Sequence, residues 1–386
     1  MRKVLAVTGI RSEYDILSSV FKAIDEHPDL ALEVCVTGAH LSAAFGETVN
    51  QIKADGFTIA DEVESLINGD RKSSRIRGAA VQLLGMIQCA ERIKPDFLLV
   101  LGDREESLTT AAMGAYLDIP TAHIGGGDKV IGNVDDQVRH AVTKLAHIHF
   151  PTNALSAERI IKLGEESFRV FNVGNPGLDR LRATPQMSRA ELFSWYGFPG
   201  DWLDKPLIIV VQHVISSEAE YGYEQMKATM EALEELAYPA VISYPNSDAG
   251  SRGIVQAIEE YRHLDFLRIF HNVPRLEFVN TLRQAGCLLG NSSLGVLEAP
   301  FMKLPTINVG NRQKGRLHGD NIIFIDHEPK AIIEAVKRCL FDEDFKSKVV
   351  NGVNPFGDGH SSEKIAEVFA TISIDQKLLF KELTYE

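Results

Sequence analysis

The residues with chemical potential in this chain gather in short loops. Thr8-Gly9-Ile10-Arg11-Ser12-Glu13-Tyr14 joins a glycine that lets backbone come close, the free N–H groups of a helix start, and an arginine. That is an anion site in outline, with an ordinary turn carrying a solvated Arg11 as the equal alternative. In Gly102-Asp103-Arg104-Glu105-Glu106, Asp103 ends an apolar run, where it either caps the next helix or faces a ligand. Glu105 and Glu106 read as first-turn acids favoured by the helix dipole. His123-Ile124-Gly125-Gly126-Gly127-Asp128 holds three consecutive glycines, which cost backbone entropy and make most sense where a ligand touches the chain. The helix that follows, from Asp135 and Asp136, carries an apolar stripe of Val138, Ala141, Val142 and Leu145 and leaves Asp135, Arg139 and Thr143 along another face. Capping alone accounts for one of its two opening aspartates.

The second half repeats the theme. Gln212-His213, Tyr244-Pro245-Asn246-Ser247-Asp248-Ala249-Gly250-Ser251 and Gly290-Asn291-Ser292-Ser293-Leu294-Gly295 each set amides, hydroxyls or glycines where a strand gives way to a helix, an arrangement suited to phosphate oxygens. Glu298 either lies on the surface or accepts hydrogen bonds from ribose hydroxyls. Gly310-Asn311-Arg312-Gln313-Lys314-Gly315-Arg316 places three cations between glycines and suits a diphosphate. His140, His147 and His149 lack the spacing of a zinc helix and have no accompanying cysteine. Asp342-Glu343-Asp344 reads as solvated surface. Neither a metal nor a cofactor is expected, and without a GxGxxG loop a dinucleotide fold gains no support.

These loops need elements to hold them. Val- and Ile-rich runs recur, each followed by a polar or glycine break and a segment of helical period, the pattern of a parallel α/β sheet. Strands are expected at 4–7, 32–36, 97–101, 121–124, 148–150 and 170–173, and again at 207–211, 240–243, 267–270, 287–289, 306–309 and 322–325. Their continuous apolar character fits sheets covered by helices on both faces. The fold class expected is therefore α/β, with two Rossmann-like doubly wound domains, residues 1–178 and 179–361, facing each other across a cleft lined by strand-end loops. The segment 362–386 holds a helix that returns to the first domain.

The chain has 386 residues, and its 40 Lys plus Arg against 53 Asp plus Glu give a net charge of −13. That balance disfavours nucleic acid and membrane surfaces, both anionic. The four cysteines lie in apolar stretches without CxxC spacing and read as reduced core thiols. With no signal peptide or membrane span evident, a cytoplasmic protein is expected.

Taken together, TGIRSEY, GDRE, HIGGGD, DDQVRHAVTKLAHIHF, VGNPGLD, QHV, YPNSDAGS, GCLLGNSSLGVLE and INVGNRQKGR resemble, in order and over nearly the whole chain, the hydrolysing UDP-N-acetylglucosamine 2-epimerases that serve sialic-acid-type pathways. The resemblance implies a glycosyltransferase-B-like architecture, with UDP held mainly by the second domain and the sugar facing the first. It implies that Arg11 and Arg104 reach the sugar diphosphate or catalytic region. His213, Asn246, Ser292, Ser293 and Arg312 would contact the diphosphate, with Ser251, Gln313 and Arg316 in the same binding set, and Glu298 would hold the ribose. Asp103, Asp128, Asp135 and Asp136 are its acid and base candidates, with His213 assisting at the diphosphate. The chain departs from the family pattern at Gly125, where the reversible branch has Glu, at Asp128, where hydrolysing members usually have Glu, and at Val214, which replaces a common Pro. The implied reaction converts UDP-N-acetylglucosamine and water to N-acetylmannosamine and UDP through a 2-acetamidoglycal. Hydrolysis of a 2,4-diacetamido-2,4,6-trideoxy UDP-sugar is the near alternative. A glycosyltransferase of the same fold, a UDP-sugar-binding protein without activity and the reversible epimerisation are more distant ones. A homodimer or homotetramer is implied as well.

Overall fold

A computed structural model of the protein describes residues 1–67, 69, 71–129, 134–245, 250–271 and 273–385. The chain divides into two compact units, Met1–Arg182 with Phe356–Glu386, and Ala183–Pro355.

The first unit runs β1 (Arg2–Thr8), α1 (Arg11–Asp25), β2 (Leu30–Thr37), α2 (Val49–Ala54), β3 (Ile59–Val63), α3 (Lys72–Ile93), β4 (Phe97–Leu101), α4 (Glu105–Tyr116), β5 (Thr121–Ile124), α5 (Val134–Leu145), β6 (Ile148–Phe150), α6 (Ala154–Lys162) and α7 (Gly177–Ala183). Its strands are parallel, in the order β3-β2-β1-β4-β5-β6. The apolar run in β1 is explained by its position, because successive side chains point to opposite faces and both are covered. Val4 and Ala6 join a core with Leu17, Val20, Phe21 and Ile24, the inner stripe of α1. Leu5 and Val7 pack instead with Met86, Cys89 and Ala90 of α3.

The second unit runs α8 (Arg189–Tyr196), β7 (Ile208–Val211), α9 (Gly222–Leu236), β8 (Ala240–Ser243), α10 (Ser251–Glu260), β9 (Leu267–Phe270), α11 (Arg275–Gln284), β10 (Cys287–Gly290), α12 (Leu294–Leu297), β11 (Thr306–Val309), β12 (Ile322–Ile325), α13 (Pro329–Phe341) and α14 (Glu343–Asn351). Its parallel order is β12-β11-β10-β7-β8-β9. Strand order reverses between β1 and β4 in one sheet and between β7 and β10 in the other. Open α/β sheets form their ligand crevices at such points, beyond the carboxyl ends of the strands. The loops opening there start at Gly9, Gly102, Gln212 and Asn291.

Two strand expectations need correction. The polar alternation of Ile-Ala-Asp-Glu-Val masks β3, an edge strand with one side towards water. Residues 170–173 form only a bridge, Val170 opposite His149, and Phe171 donates one backbone bond to His149 O (2.9 Å). The chain then turns away, and Asn175 N–H meets Phe356 O at 2.7 Å.

From Pro355 the chain returns to the first unit as α15 (Ser361–Thr371) and α16 (Gln376–Leu379). The Asp179 carboxylate accepts from the N–H groups of Ser361 (3.1 Å) and Ser362 (2.5 Å), satisfying donors that a helix start leaves open. This tie keeps α7 with the first unit. Phe369 lies between Phe97 and Phe150, ring centroids 5.1 and 5.9 Å away. All four cysteines are buried free thiols. Among the described residues no helix is long and apolar enough to cross a membrane. Because Phe369 is fully buried, Phe369→Ala is expected to cost about 3–5 kcal/mol. Denaturant unfolding followed by hydrogen exchange should place that loss in the first unit and leave β7–β12 unchanged.

Candidate active site

In the first unit, the buried Arg139 of α5 gathers three strand-end positions. One guanidinium nitrogen, Nη1, donates to Gly125 O at 2.7 Å and lies 3.7 Å from Asp128 Oδ2. The other, Nη2, donates to the Asp103 carboxylate. Planar guanidinium donors suit this work, since they fix the direction as well as the distance of each acceptor. Asp128 is held from its other side too. The Ser156 hydroxyl donates to it, as do Asn153 Nδ2 at 3.3 Å and Thr152 Oγ1 at 3.4 Å. His123 braces the same region from below, with Nε2 on Gly102 O at 2.7 Å. Complete burial lowers its pKa to about 3, so it stays neutral.

The glycine triplet has a structural reason that the sequence did not show. Gly125 and Gly127 have φ of +79° and +77°, and a Cβ at Gly127 would lie 2.2 Å from Ser156 O. Backbone shape and packing against α6 therefore require Gly127 whether or not a ligand touches the chain.

The four carboxylates named from the sequence do not share one place. Asp103 and Asp128 meet on Arg139, whereas Asp135 lies 3.6 Å from Arg75 Nη1 of α3. Asp136 lies 3.5 Å from His140 Nε2, one turn along α5. It lines a cavity of about 340 Å³ with Lys129, His140, Arg159, Lys162 and Leu163.

At the β1/β4 switch point stands a cluster absent from the sequence reading. Arg104 Nε is 3.1 Å from Glu106 Oε2 and 3.8 Å from Glu13 Oε1, and its Nη2 is 3.4 Å from Glu105 Oε1. Gly9 N–H donates to Glu13 Oε2 at 3.0 Å. A Cβ at Gly9 would come 2.1 Å from Glu106 Oε1, so this glycine makes room for a carboxylate. Arg104 is thus engaged by three acids, and Arg11 is solvent-exposed, 3.8 Å from Asp15. Glu106 was legible only as a first-turn acid, and nothing nearby in sequence marks its meeting with Glu13. Burial, reinforced by Glu106, pushes Glu13 up to about 8, and burial raises Glu106 against the pull of Arg104.

In the second unit Asn291 is the organiser. Its Oδ1 accepts His213 N–H at 2.7 Å and its Nδ2 donates to His213 O at 2.8 Å. Its own carbonyl accepts Gln313 Nε2 at 2.9 Å and Arg312 Nη1 at 3.1 Å. Arg316 Nη1 then donates to Gln313 Oε1 at 2.7 Å. The loops after β7, β10 and β11 are therefore one network. Asn291 stood within a quoted motif without being singled out; an amide with two donors and an acceptor was the available signal. Gly290 allows the close approach, because a Cβ there would lie 2.2 Å from Val211 O. Ser292 Oγ accepts Leu294 N–H at 3.3 Å, and Ser293 precedes α12, a single helical turn. Ser251 opens α10 behind Gly250, whose φ is +92°. Asn246 lies outside the described residues. Glu298 Oε2 is buried with no hydrogen-bond partner among the described residues, and burial pushes its pKa up to about 7.

Glu13 has a stability consequence of definite sign. Its folded pKa lies above its unfolded value, so the stability it contributes is complete below about pH 4.5 and is lost as the pH rises towards 8. Glu13→Gln, which carries no charge to bury, is expected to exceed wild type by about 1–3 kcal/mol at pH 7 and to match it near pH 4. Denaturant midpoints across that range check this, and parallel pH profiles for the two proteins would contradict it.

A family model described as UDP-N-acetylglucosamine 2-epimerase matches residues 22–370. The chain is 35% identical over 381 residues, 99% of each protein, to the UDP-N,N'-diacetylbacillosamine 2-epimerase (hydrolyzing) of Legionella pneumophila. It is 31% identical over 370 residues, 95% of each, to the UDP-N-acetylglucosamine 2-epimerase of Neisseria meningitidis serogroup B. A crystal structure of the UDP-GlcNAc 2-epimerase from Neisseria meningitidis bound to UDP-GlcNAc shares the fold, with a TM-score of 0.77 at 19% identity, covering 95% of this chain and 99% of that one. Two Rossmann-like units with these strand-end loops, together with a family match that spans most of the sequence, establish that the chain belongs to the UDP-N-acetylglucosamine 2-epimerase family.

Proposed function

We propose that the protein is a hydrolysing 2-epimerase of a UDP-activated 2-acetamido sugar, releasing UDP and the free 2-epimer. The observation that carries the reading is the pair of carboxylates, Asp103 and Asp128, oriented by one buried guanidinium. A hexose C2–H is not acidic, so a carboxylate can take that proton only once the bond from C1 to the diphosphate is largely broken. Arg312 and Arg316, with the amide of Gln313, are the groups assigned to the departing diphosphate, where fixed donors stabilise growing charge. Loss of UDP and of the C2 proton leaves a 2-acetamidoglycal. Water oxygen then adds at C1 while a proton returns to C2 from the opposite face. Asp103 and Asp128 are the groups proposed for these two proton transfers, and Arg139 holds both without leaving α5. Asp135 and Asp136 are assigned supporting roles, in keeping with their ties to Arg75 and His140.

Two substrates fit this chemistry, UDP-N-acetylglucosamine and its 2,4-diacetamido-2,4,6-trideoxy analogue. The greater identity and coverage of the Legionella relative support the second as the preferred one. The deciding experiment incubates the purified protein with each in deuterated water and follows products by proton NMR. Free UDP with a 2-deuterated manno-type sugar is expected, faster from the diacetamido substrate. Intact nucleotide sugar in both tubes would overturn the reading.

Asp103→Asn and Asp128→Asn are each expected to lower kcat about 10²–10⁴-fold while UDP affinity by calorimetry stays within about twofold. Glu298 supplies a further prediction. Ribose hydroxyls donate to the ionised carboxylate, so UDP should bind more tightly as the pH rises from 6 to 8, with proton release on binding. Calorimetry in buffers of different ionisation enthalpy detects that proton, and Glu298→Gln should abolish it.

A further inference from the structure

The far end of the described chain is fastened under the helix that carries Arg139. Arg169, fully buried, donates to the carbonyls of Lys377 (2.7 Å), Leu378 (2.5 Å) and Phe380 (2.8 Å). That anchor delivers Lys381 to the C-terminal end of α5. Its ammonium donates to Ala146 O at 2.6 Å, Lys144 O at 2.7 Å and Thr143 O at 3.2 Å, and pairs with Glu165 Oε2 at 2.7 Å. Carbonyls of a last helical turn have no partner within the helix, and a cation there also complements the helix dipole. Glu165, whose side chain is fully buried, accepts from Lys144 at 2.6 Å and from His149 at 3.0 Å, so it fixes Lys381 in turn.

From this end, two short connections lead to the carboxylate pair. Thr143 Oγ1 donates to Arg139 O at 3.0 Å, one turn back along α5. The same hydroxyl packs 3.5 Å from His123 Nδ1, a contact without a shared proton because its hydrogen is already on Arg139 O, and His123 Nε2 donates to Gly102 O at 2.7 Å, the residue before Asp103.

We infer that Lys381 is a positioning residue: by gathering the terminal carbonyls of α5 it sets where that helix presents Arg139 to Asp103 and Asp128. It touches neither carboxylate and acts only through α5 and His123. As far as turnover is concerned, this inference rests on the function proposed above.

The test compares wild type, Lys381→Met and Lys381→Arg by hydrogen exchange, UDP calorimetry and steady-state UDP release from the two nucleotide sugars. In Lys381→Met, α5 amides are expected to exchange at least about tenfold faster, with the second unit unchanged. Its kcat is expected to fall about 10- to 100-fold, the scale of a small misplacement of reacting groups, with KM and UDP affinity within about twofold of wild type. Lys381→Arg, which keeps the charge and the donors, should retain α5 protection and at least about a third of kcat. Unchanged α5 exchange in Lys381→Met would overturn the inference, as would undiminished kcat despite lost protection, or a loss confined to KM. Should Lys381→Met fail to fold, Lys381→Arg is read alone: retained protection and kcat support the inference, and a loss beyond about tenfold overturns it. A wild type that turns over neither sugar would defeat the functional reading alone, leaving the exchange comparison to decide the role of Lys381.

Discussion

The first unit's site depends on one buried cation meeting three acceptors. Arg139 draws a carbonyl from the loop after β5, a carboxylate from the loop after β4 and, at longer range, the carboxylate of Asp128. Burying an unpaired guanidinium is costly, and the two partly exposed carboxylates with the Gly125 carbonyl are what offset that cost for Arg139. Pairing of β4 with β5 brings the loops side by side, and Arg139 sets where their carboxylates point. Gly125 and Gly127 adopt the left-handed backbone conformation that lets the chain bend round α5 and α6, and His123, neutral in its buried setting, spaces one loop from the next.

The two sheets treat polar groups at their switch points differently. In the first, Glu13 and Glu106 are packed under a glycine loop with Arg104, and burial favours a retained proton. In the second, Asn291 ties His213, Arg312 and Gln313 together, while Glu298 keeps a buried oxygen with no hydrogen-bond partner among the described residues. The acidic pair finds its partners inside the fold, whereas a buried carboxylate oxygen without a protein donor is one that a ligand hydroxyl can satisfy.

How much of this could be read from the residues follows from range. Buried strands declare themselves through continuous apolar runs, which is why most strand positions and the doubly wound class could be framed in advance, while the half-polar edge strand β3 could not be seen. Asp103 and Asp128 were legible because each ends a strand or a glycine loop, a local sign. Arg139 was visible only as a residue on the polar side of a helix, since its partners lie in loops that only the sheet brings beside it. Glu13 and Glu106 were the hardest: each looks ordinary in its own helix, and only the neighbouring positions of β1 and β4 turn two first-turn acids into one buried pair. Asp136 shows the converse, as adjacency to Asp135 in sequence sends its side chain to a different face of α5.

The return of residues 356–385 to the first unit has a consequence for the order in which the protein is built. The second unit is one continuous stretch, and it is complete on the ribosome before the first has all its parts. At about 5–20 residues per second, some 10–40 seconds separate the synthesis of Arg169 from that of the carbonyls it finally holds. During that interval Phe97 and Phe150 lack Phe369, and Arg169 keeps Glu166 but not the three carbonyls of residues 377–380. The apolar surface that Phe369 covers is therefore the last part of the first unit's core to be closed during synthesis.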